Sequence, residues 1–349
     1  MQEKDKGKQD KNKQKTIYDI SSRAGVSIAT VSRVMNGSPK VSAKTKERVL
    51  QVIEECGYEP NAFARGLGTG SMRTIGILCA DVADLYLANA VSYLERELRQ
   101  NGFDTILNCT GYEHERKAAC MRAMEARRVD AVILVGSHYV ESTPKKNQYI
   151  LDASVNIPLM MLNGYLKGDH IYCNLSDDYG AYYEATGNLI EAGCREILFL
   201  YRELTYSQSQ KQKGYTAALA DKGLAYRPEL VLQSGGKMEK ISQKLMDYYQ
   251  EGNRFDAILA SDDELAIGAL KFAKSAGLKV PEDLSIIGCN NSVLSICCEP
   301  ELSSIDNKCE NICVNTAAAL MHVLDGMKVA HKTELSTEYI QRGTTRHRD

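Results

Sequence analysis

The stretch from Thr16 to Gly57 constrains this chain more than any other. Thr16-Ile17-Tyr18-Asp19-Ile20-Ser21-Ser22-Arg23-Ala24 predicts a helix from about Ile17 to Ala24. Thr16 is its N-cap and Asp19 lies three residues on, a short version of the capping box. Gly25 and Val26 make a turn. Ser27 starts a second helix that runs to about Met35 and stops at Asn36-Gly37; a third runs from Ser42 to Cys56 and ends at Gly57. Two short helices about a glycine-containing turn form a helix-turn-helix. Ala24, Val26, Val31 and Val34 are expected to face a small core, which leaves Ile28, Ala29, Ser32 and Arg33 outward. An ordinary helical hairpin has the same outline, so the shape alone assigns nothing.

Charge is distributed unevenly. Residues 1–73 carry 14 Lys and Arg against 8 Asp and Glu, and the remainder carries 29 against 37, although the whole chain has a net charge of only -2. A basic head on an acidic body suits a nucleic-acid-binding module joined to a separate regulatory domain. Six of the head's lysines precede Thr16, in a polar arm (1–15) that reads as disordered. That arm has no apolar stretch of the kind a signal peptide needs, and no apolar run approaches a membrane span. The eleven cysteines are irregularly spaced and lack paired zinc motifs. A reducing cytoplasm is the simplest fit, with no metal and no cofactor expected.

From Thr74 the pattern becomes strand–helix alternation. Ile75–Cys79, Thr105–Cys109, Ala131–Val135 and Leu159–Leu162 read as strands, with helices at about Leu85–Gln100 and 113–127 between them. A second set follows: a helix from near Tyr179 to Ala192, strand Ile197–Tyr201, a helix around Lys211–Lys222, then 256–260, Leu265–Ala276 and 284–288. Apolar strands alternating with helices imply parallel sheets covered on both faces. Two sets in tandem imply two Rossmann-like lobes with a cleft between them.

The head closely resembles the DNA-binding domain of the LacI/GalR family of bacterial transcription regulators. The matching residues are Thr16-Ile17-Tyr18-Asp19-Ile20, Ala24-Gly25-Val26-Ser27, Thr30-Val31-Ser32-Arg33-Val34, Asn36-Gly37, Val41-Ser42 through Val49, and Gly57-Tyr58-x-Pro60-Asn61 with Ala64 and Leu67 beyond. The body is similar to that family's effector domain, which looks like a periplasmic sugar-binding protein. Arg128-Val129-Asp130-Ala131, Gly193-Cys194-Arg195-Glu196-Ile197, Ala266-Ile267-Gly268-Ala269 and Val280-Pro281-Glu282-Asp283-Leu284 carry this likeness. The resemblance implies an all-α head at 16–59, a hinge helix and linker at 60–73, and an α/β body at 74–349. Its first lobe would hold 74–174 and 306–332, and its second 175–305 and 333–349. It also implies a dimer, most often a repressor, on double-stranded operator DNA.

An outward arginine in the major groove can bind guanine O6 and N7 through two parallel hydrogen bonds, and Arg33 is placed for that. The resemblance puts Ile28 and Ala29 at positions that set operator choice. Both are apolar, so they can pack on thymine methyls; core packing is the alternative for Ile28. Ser27, Thr30, Ser32 and Asn36 suit phosphate contacts, which position without reading sequence. Thr16, Tyr18, Asn61 and Ala64 join the contact set by resemblance, with Arg65 on a phosphate. Leu67 is expected to act as a minor-groove wedge at a central CG step.

By the same resemblance the effector cleft is lined by Tyr86, Asn163, Lys211, Asp262 and Asn290. A small molecule, a sugar first, would stack on Tyr86 and hydrogen-bond to the others. Many family members carry Arg at the position of Lys211 and Asp at that of Asn290, so an altered ligand, or none, stays open. Two other classes compete. A nucleotide-dependent enzyme needs a glycine fingerprint between a strand and its helix, yet Asp81-Val82-Ala83-Asp84 follows Cys79, and Gly66-x-Gly68-x-Gly70 precedes the first strand. The six histidines show no paired pattern, so the chain is read as no enzyme. A free extracytoplasmic binding protein would need a signal peptide in place of a DNA-binding head.

Overall fold

The computed structural model describes residues 15–35, 37–58 and 71–346, and the chain divides between Arg73 and Thr74 into two units. The expectations at Asn36, Asn61, Ala64, Arg65 and Leu67 lie outside the described residues, as do most of the arm and of the hinge segment.

In the first unit, α1 (Ile17–Ala24), α2 (Ile28–Met35) and α3 (Ala43–Cys56) pack around Ile20, Ala24, Val31, Val34, Val49 and Tyr58. Local sequence sets each boundary. The Asp19 carboxylate accepts from the Thr16 N–H at 2.8 Å and from its hydroxyl at 2.9 Å. Gly25 and Gly57 end α1 and α3 with φ of 61° and 57°, left-handed conformations that glycine adopts without steric cost. The Ser42 hydroxyl accepts from the Thr45 N–H and caps α3. Val26 is only partly buried against the core, at its rim.

The second unit holds two six-stranded sheets. In chain order its elements are β1 (Thr74–Cys79), α4 (Leu85–Gln100), β2 (Asp104–Cys109), α5 (His114–Ala126), β3 (Ala131–Val135), α6 (Gln148–Ser154), β4 (Leu159–Leu162), β5 (Ile171–Ser176), α7 (Asp178–Glu191), β6 (Ile197–Tyr201) and α8 (Tyr206–Asp221). They continue with β7 (Val231–Gln233), α9 (Met238–Gln250), β8 (Ala257–Ala260), α10 (Asp263–Ala276), β9 (Ser285–Cys289), β10 (Ser303–Asp306), α11 (Cys309–Leu324), β11 (Lys332–Leu335) and β12 (Glu338–Ile340). The first sheet runs β11-β5-β4-β3-β1-β2, all parallel. The second runs β12-β10-β9-β8-β6-β7 and is parallel except where β12 pairs antiparallel with β10.

Strand alternation explains why both faces are apolar. Ile75, Ile77 and Cys79 pack with α4 and α11, whereas Leu78 points to the other side with Met121, Met124 and Ile150. In the second lobe Leu198 and Leu200 face α9 and α10, and Ile197 and Phe199 face α7 and α8. The chain crosses between sheets after β5, β10 and β11. The first crossing was expected after residue 174 and falls after Ser176, where β5 ends; the last was expected near 333 and falls after Leu335, because Thr333 and Glu334 pair in parallel with Asn174 and Leu175. The helix expected around Lys211 starts earlier, at Tyr206, because the Thr205 hydroxyl accepts from the Gln208 N–H and caps it.

Candidate functional site

On α2 the helical period sorts the residues. Val31 and Val34 are buried, Ile28, Ala29 and Arg33 are exposed, and Thr30 and Ser32 are half-buried. The Arg33 guanidinium forms no hydrogen bond or ion pair with another described residue. Ser27 and Thr30 hydroxyls lie 2.9 Å apart, and Ser27 also accepts from the Thr30 N–H, so this pair starts α2. Tyr18 is 69% exposed on α1. A helix with an apolar back and an outward arginine is shaped to enter a major groove.

In the second unit, the segments leaving the C-terminal ends of β1, β2, β3, β4, β5, β6, β8, β9 and β10 converge on one cavity of about 200 Å3. Open parallel sheets place their ligands at this end of the strands. All five residues expected in the cleft line it: Tyr86, Asn163, Lys211, Asp262 and Asn290. A larger groove of about 410 Å3 lies elsewhere on the second lobe, lined largely by Ile267, Leu270, Leu278, Val280 and Pro300. Its largely aliphatic lining offers few groups to orient a polar ligand, and the cleft is the better candidate.

The expected cleft residues are not free-standing. Asn163 and Asn290 directly follow β4 and β9 with φ of 54° and 99°, the left-handed region that asparagine tolerates better than most residues. Asn163 donates to the Tyr86 hydroxyl at 2.7 Å, and its side-chain oxygen accepts from the Ser176 N–H at 2.8 Å. Burial raises the Tyr86 pKa well above its ordinary value. Asn290 Oδ1 accepts from Asn307 Nδ2 at 2.8 Å. Asp262 caps α10 by accepting from the Leu265 N–H, and it also accepts from Arg202 Nε at 2.6 Å. Arg202 reaches Glu264 as well, at 2.6 Å.

Lys211 is buried one turn before Gly214. A Cβ at Gly214 would lie 2.2 Å from the Tyr179 carbonyl oxygen, so glycine lets α8 approach α7 closely and brings the Lys211 stem inward. Lys211 Nζ donates to the Ser261 carbonyl at 2.9 Å and lies 4.0 Å from Asp178. Burial alone would lower its pKa, but Cys289, Asp178 and Asp262 outweigh that and hold it raised. The Asp178 carboxyl is itself raised by burial, against the pull of Lys211 and of the Ser207 hydroxyl at 2.5 Å.

Reading the sequence missed Arg202, which directly follows β6, and the Asp84 N-cap of α4, whose carboxyl is raised by burial and by the Asp262 charge, against the pull of the Leu87 N–H and Arg202. It also missed Tyr112 and His138, whose rings meet edge-on with centroids 5.4 Å apart on the cavity wall. Burial, reinforced by the Lys117 charge, pushes His138 down to about 3, so it is neutral at pH 7. One rule would have found most of them: in a parallel sheet, read the residues just past each strand.

Residues 16–61 match the lacI family of bacterial regulatory proteins, and residues 186–345 match a periplasmic binding protein-like domain. An HTH-type transcriptional regulator of Lachnoclostridium phytofermentans is 49% identical over 329 residues, 94% of this chain and 99% of that protein. Catabolite control protein A of Staphylococcus aureus is 32% identical over 333 residues, 95% of this chain and 99% of that protein. Among solved structures, the lac repressor dimer bound to operator and the anti-inducer ONPF matches with a TM-score of 0.85 at 24% identity, over 95% of this chain and 99% of that one, a likeness of fold. The transcriptional regulator CelR in complex with cellobiose matches with a TM-score of 0.69 at 25% identity, over 95% of this chain and 99% of that one.

Proposed function

This chain is a DNA-binding transcriptional regulator belonging to the LacI family, and we propose that it is a repressor that binds a palindromic operator as a dimer under the control of a small molecule in the cleft. The observation that carries the reading is α2, which buries Val31 and Val34 and leaves Ile28, Ala29 and Arg33 exposed. Arg33 reads guanine, Ile28 and Ala29 meet thymine methyls, Ser27, Thr30 and Ser32 contact phosphates, and Thr16 and Tyr18 belong to the same contact set. Asn36, Asn61, Ala64, Arg65 and Leu67 belong to the same proposal, Leu67 as the wedge.

The effector is a sugar or sugar derivative. Its cavity takes walls from both lobes, so a ligand there can favour one arrangement of the lobes over another, in proportion to its differential affinity for them. No described helix is long and apolar enough to cross a membrane, and all eleven cysteines are free thiols. We read the protein as cytoplasmic and non-enzymatic, as suits relatives named as regulators.

Selection of bound sequences from a random DNA pool, with and without mono- and disaccharides, tests this. We expect a palindrome with a central CG step, whose enrichment changes with a sugar. Half-sites without two-fold symmetry would remove the dimer, and a pool without enrichment would remove specific binding. A second reading, a ligand-independent regulator, is favoured by the internal partners of Asp262, Lys211 and Asn163; it predicts enrichment that no sugar alters.

A further inference from the structure

Both cations of the cleft are already matched by groups of its own wall. Arg202 is held by Asp262 and Glu264, and Lys211 is engaged by the Ser261 carbonyl with Asp178 nearby. Asp84 and Glu203 add two further carboxylates to the wall. An entering phosphate would have to strip a cation from its carboxylates and then sit beside them. Coulomb repulsion and desolvation both oppose that.

Two uncharged groups of the same wall are left unpaired. Gln208 and Asn307 line the same cavity and are each only 5% exposed. Gln208 Nε2 and Asn307 Oδ1 nevertheless have no hydrogen-bond partner among the described residues. Asn307 spends its amide on Asn290, so its oxygen is left as an acceptor, and Gln208 is left as a donor. Buried polar atoms normally find partners, and leaving them unpaired is costly. A hydroxyl can both donate and accept, so it can complete either group. At about 200 Å3 the cavity is below the roughly 300–1,000 Å3 of sites for drug-sized ligands, which suits a small molecule.

We propose that Gln208 and Asn307 determine the specificity of the cleft, and that its ligand is a small uncharged polyhydroxylated molecule, with phosphorylated sugars excluded. This rests on the reading of the cleft as the effector site. Gln208 donates to one ligand oxygen and Asn307 accepts from one ligand hydroxyl, while Arg202 and Lys211 stay engaged by the wall's own carboxylates and carbonyl instead of binding the ligand's charge.

Calorimetry on the full chain tests it with matched pairs: glucose, galactose, mannose, fructose and N-acetylglucosamine, each beside its 6-phosphate, with cellobiose and inorganic phosphate added. We expect at least one neutral sugar to bind and its phosphate to bind at least tenfold more weakly. Gln208→Met keeps the volume but removes the amide donor. It should weaken the bound sugar about tenfold while the melting temperature without ligand holds or rises, a combination that a merely structural glutamine would not give. Asn307→Ala should also weaken binding about tenfold. A phosphate that binds more tightly than its parent sugar overturns the inference and leaves the effector-site reading standing. So does an unchanged affinity in both variants with folding intact. If no member of the set binds, the effector-site reading fails and this inference falls with it.

Discussion

On the helix-turn-helix, the side chains offered to a partner stand in solvent; in the cleft, most of them are already bonded to one another. Arg33 has no partner among the described residues, whereas Arg202 is held by two carboxylates and Lys211 by a carbonyl. The two regions also differ in how they are supported. The head rests on one small core around Ile20 and Val31, while the body has four apolar clusters on the two faces of two sheets. The head therefore combines a small scaffold with exposed side chains along α2. The body combines a deep scaffold with a site whose groups are oriented in advance, the condition for selective binding of small polar ligands.

The most forceful way to break this comparison is through the head's core. Ile20 is fully buried among α1, α2 and α3. Removing a buried isoleucine side chain costs about 2–5 kcal/mol, and roughly 0.05–0.15 kcal/mol per residue is all that a folded domain has to lose. Ile20→Ala should unfold the head and abolish operator binding, leaving the body's calorimetric transition in place. A body transition that drops as well would show that the two units are not energetically separate.

A smaller effect sharpens the contrast at the reading surface. Arg33→Ala should cost about 1–3 kcal/mol of operator affinity and relax one base position in each half-site. Stability should not change, since the Arg33 side chain has no hydrogen-bond or ion-pair partner among the described residues. Binding to specific and mismatched duplexes separates the outcomes, because a uniform loss would make Arg33 a phosphate contact.

The same difference governs what the sequence could tell. Helix α2 was legible because a period of 3.6 puts Val31 and Val34 on one side and Ile28, Ala29 and Arg33 on the other. The long apolar strands were legible too: Ala131–Val135, Leu159–Leu162 and Ile197–Tyr201 lie where the pattern put them. β5, β10 and β11 were not read as strands, because Ile171–Ser176, Ser303–Asp306 and Lys332–Leu335 mix polar residues into runs too short to show a period. The positions of the five cleft residues came from resemblance. Their partners did not, because Arg202 and Asp262 are 60 residues apart and meet only after β6 and β8 pair. For that reason Asp262, expected to face ligand hydroxyls, is found braced by a guanidinium, and Tyr86, expected to be a stacking platform, has its hydroxyl tied to Asn163.

The last test uses protons. His138 is a half-buried histidine of the cleft, with a buried Nε2 unpartnered among the described residues, while the described head contains no histidine. Its surroundings are the edge of Tyr112, the tilted ring of Tyr139, and Lys117, whose ammonium donates to the His138 carbonyl at 2.6 Å and to Glu141 at 3.0 Å. Burial first, then the Lys117 charge, lowers its pKa from 6.5 to about 3. The unfolded chain therefore takes up a proton on this ring near pH 6.5, where the folded chain does not. The resulting stability is complete above pH 6.5 and is lost as the pH falls from there toward 3. One pH unit below 6.5 the loss is about 1.4 kcal/mol, worth roughly 2–4 °C in a unit of this size. Asp84, Asp178 and Asp263 have raised pKa values and act in the opposite sense, since protonation favours their folded forms as the pH drops. Comparing wild type with His138→Gln cancels those carboxylates. Between pH 7 and 5.5 the body's melting temperature should fall further in wild type than in the variant, and the head's should be nearly level in both. Parallel slopes for the two proteins would mean that the imidazole is reached by water and titrates alike in the folded and unfolded states.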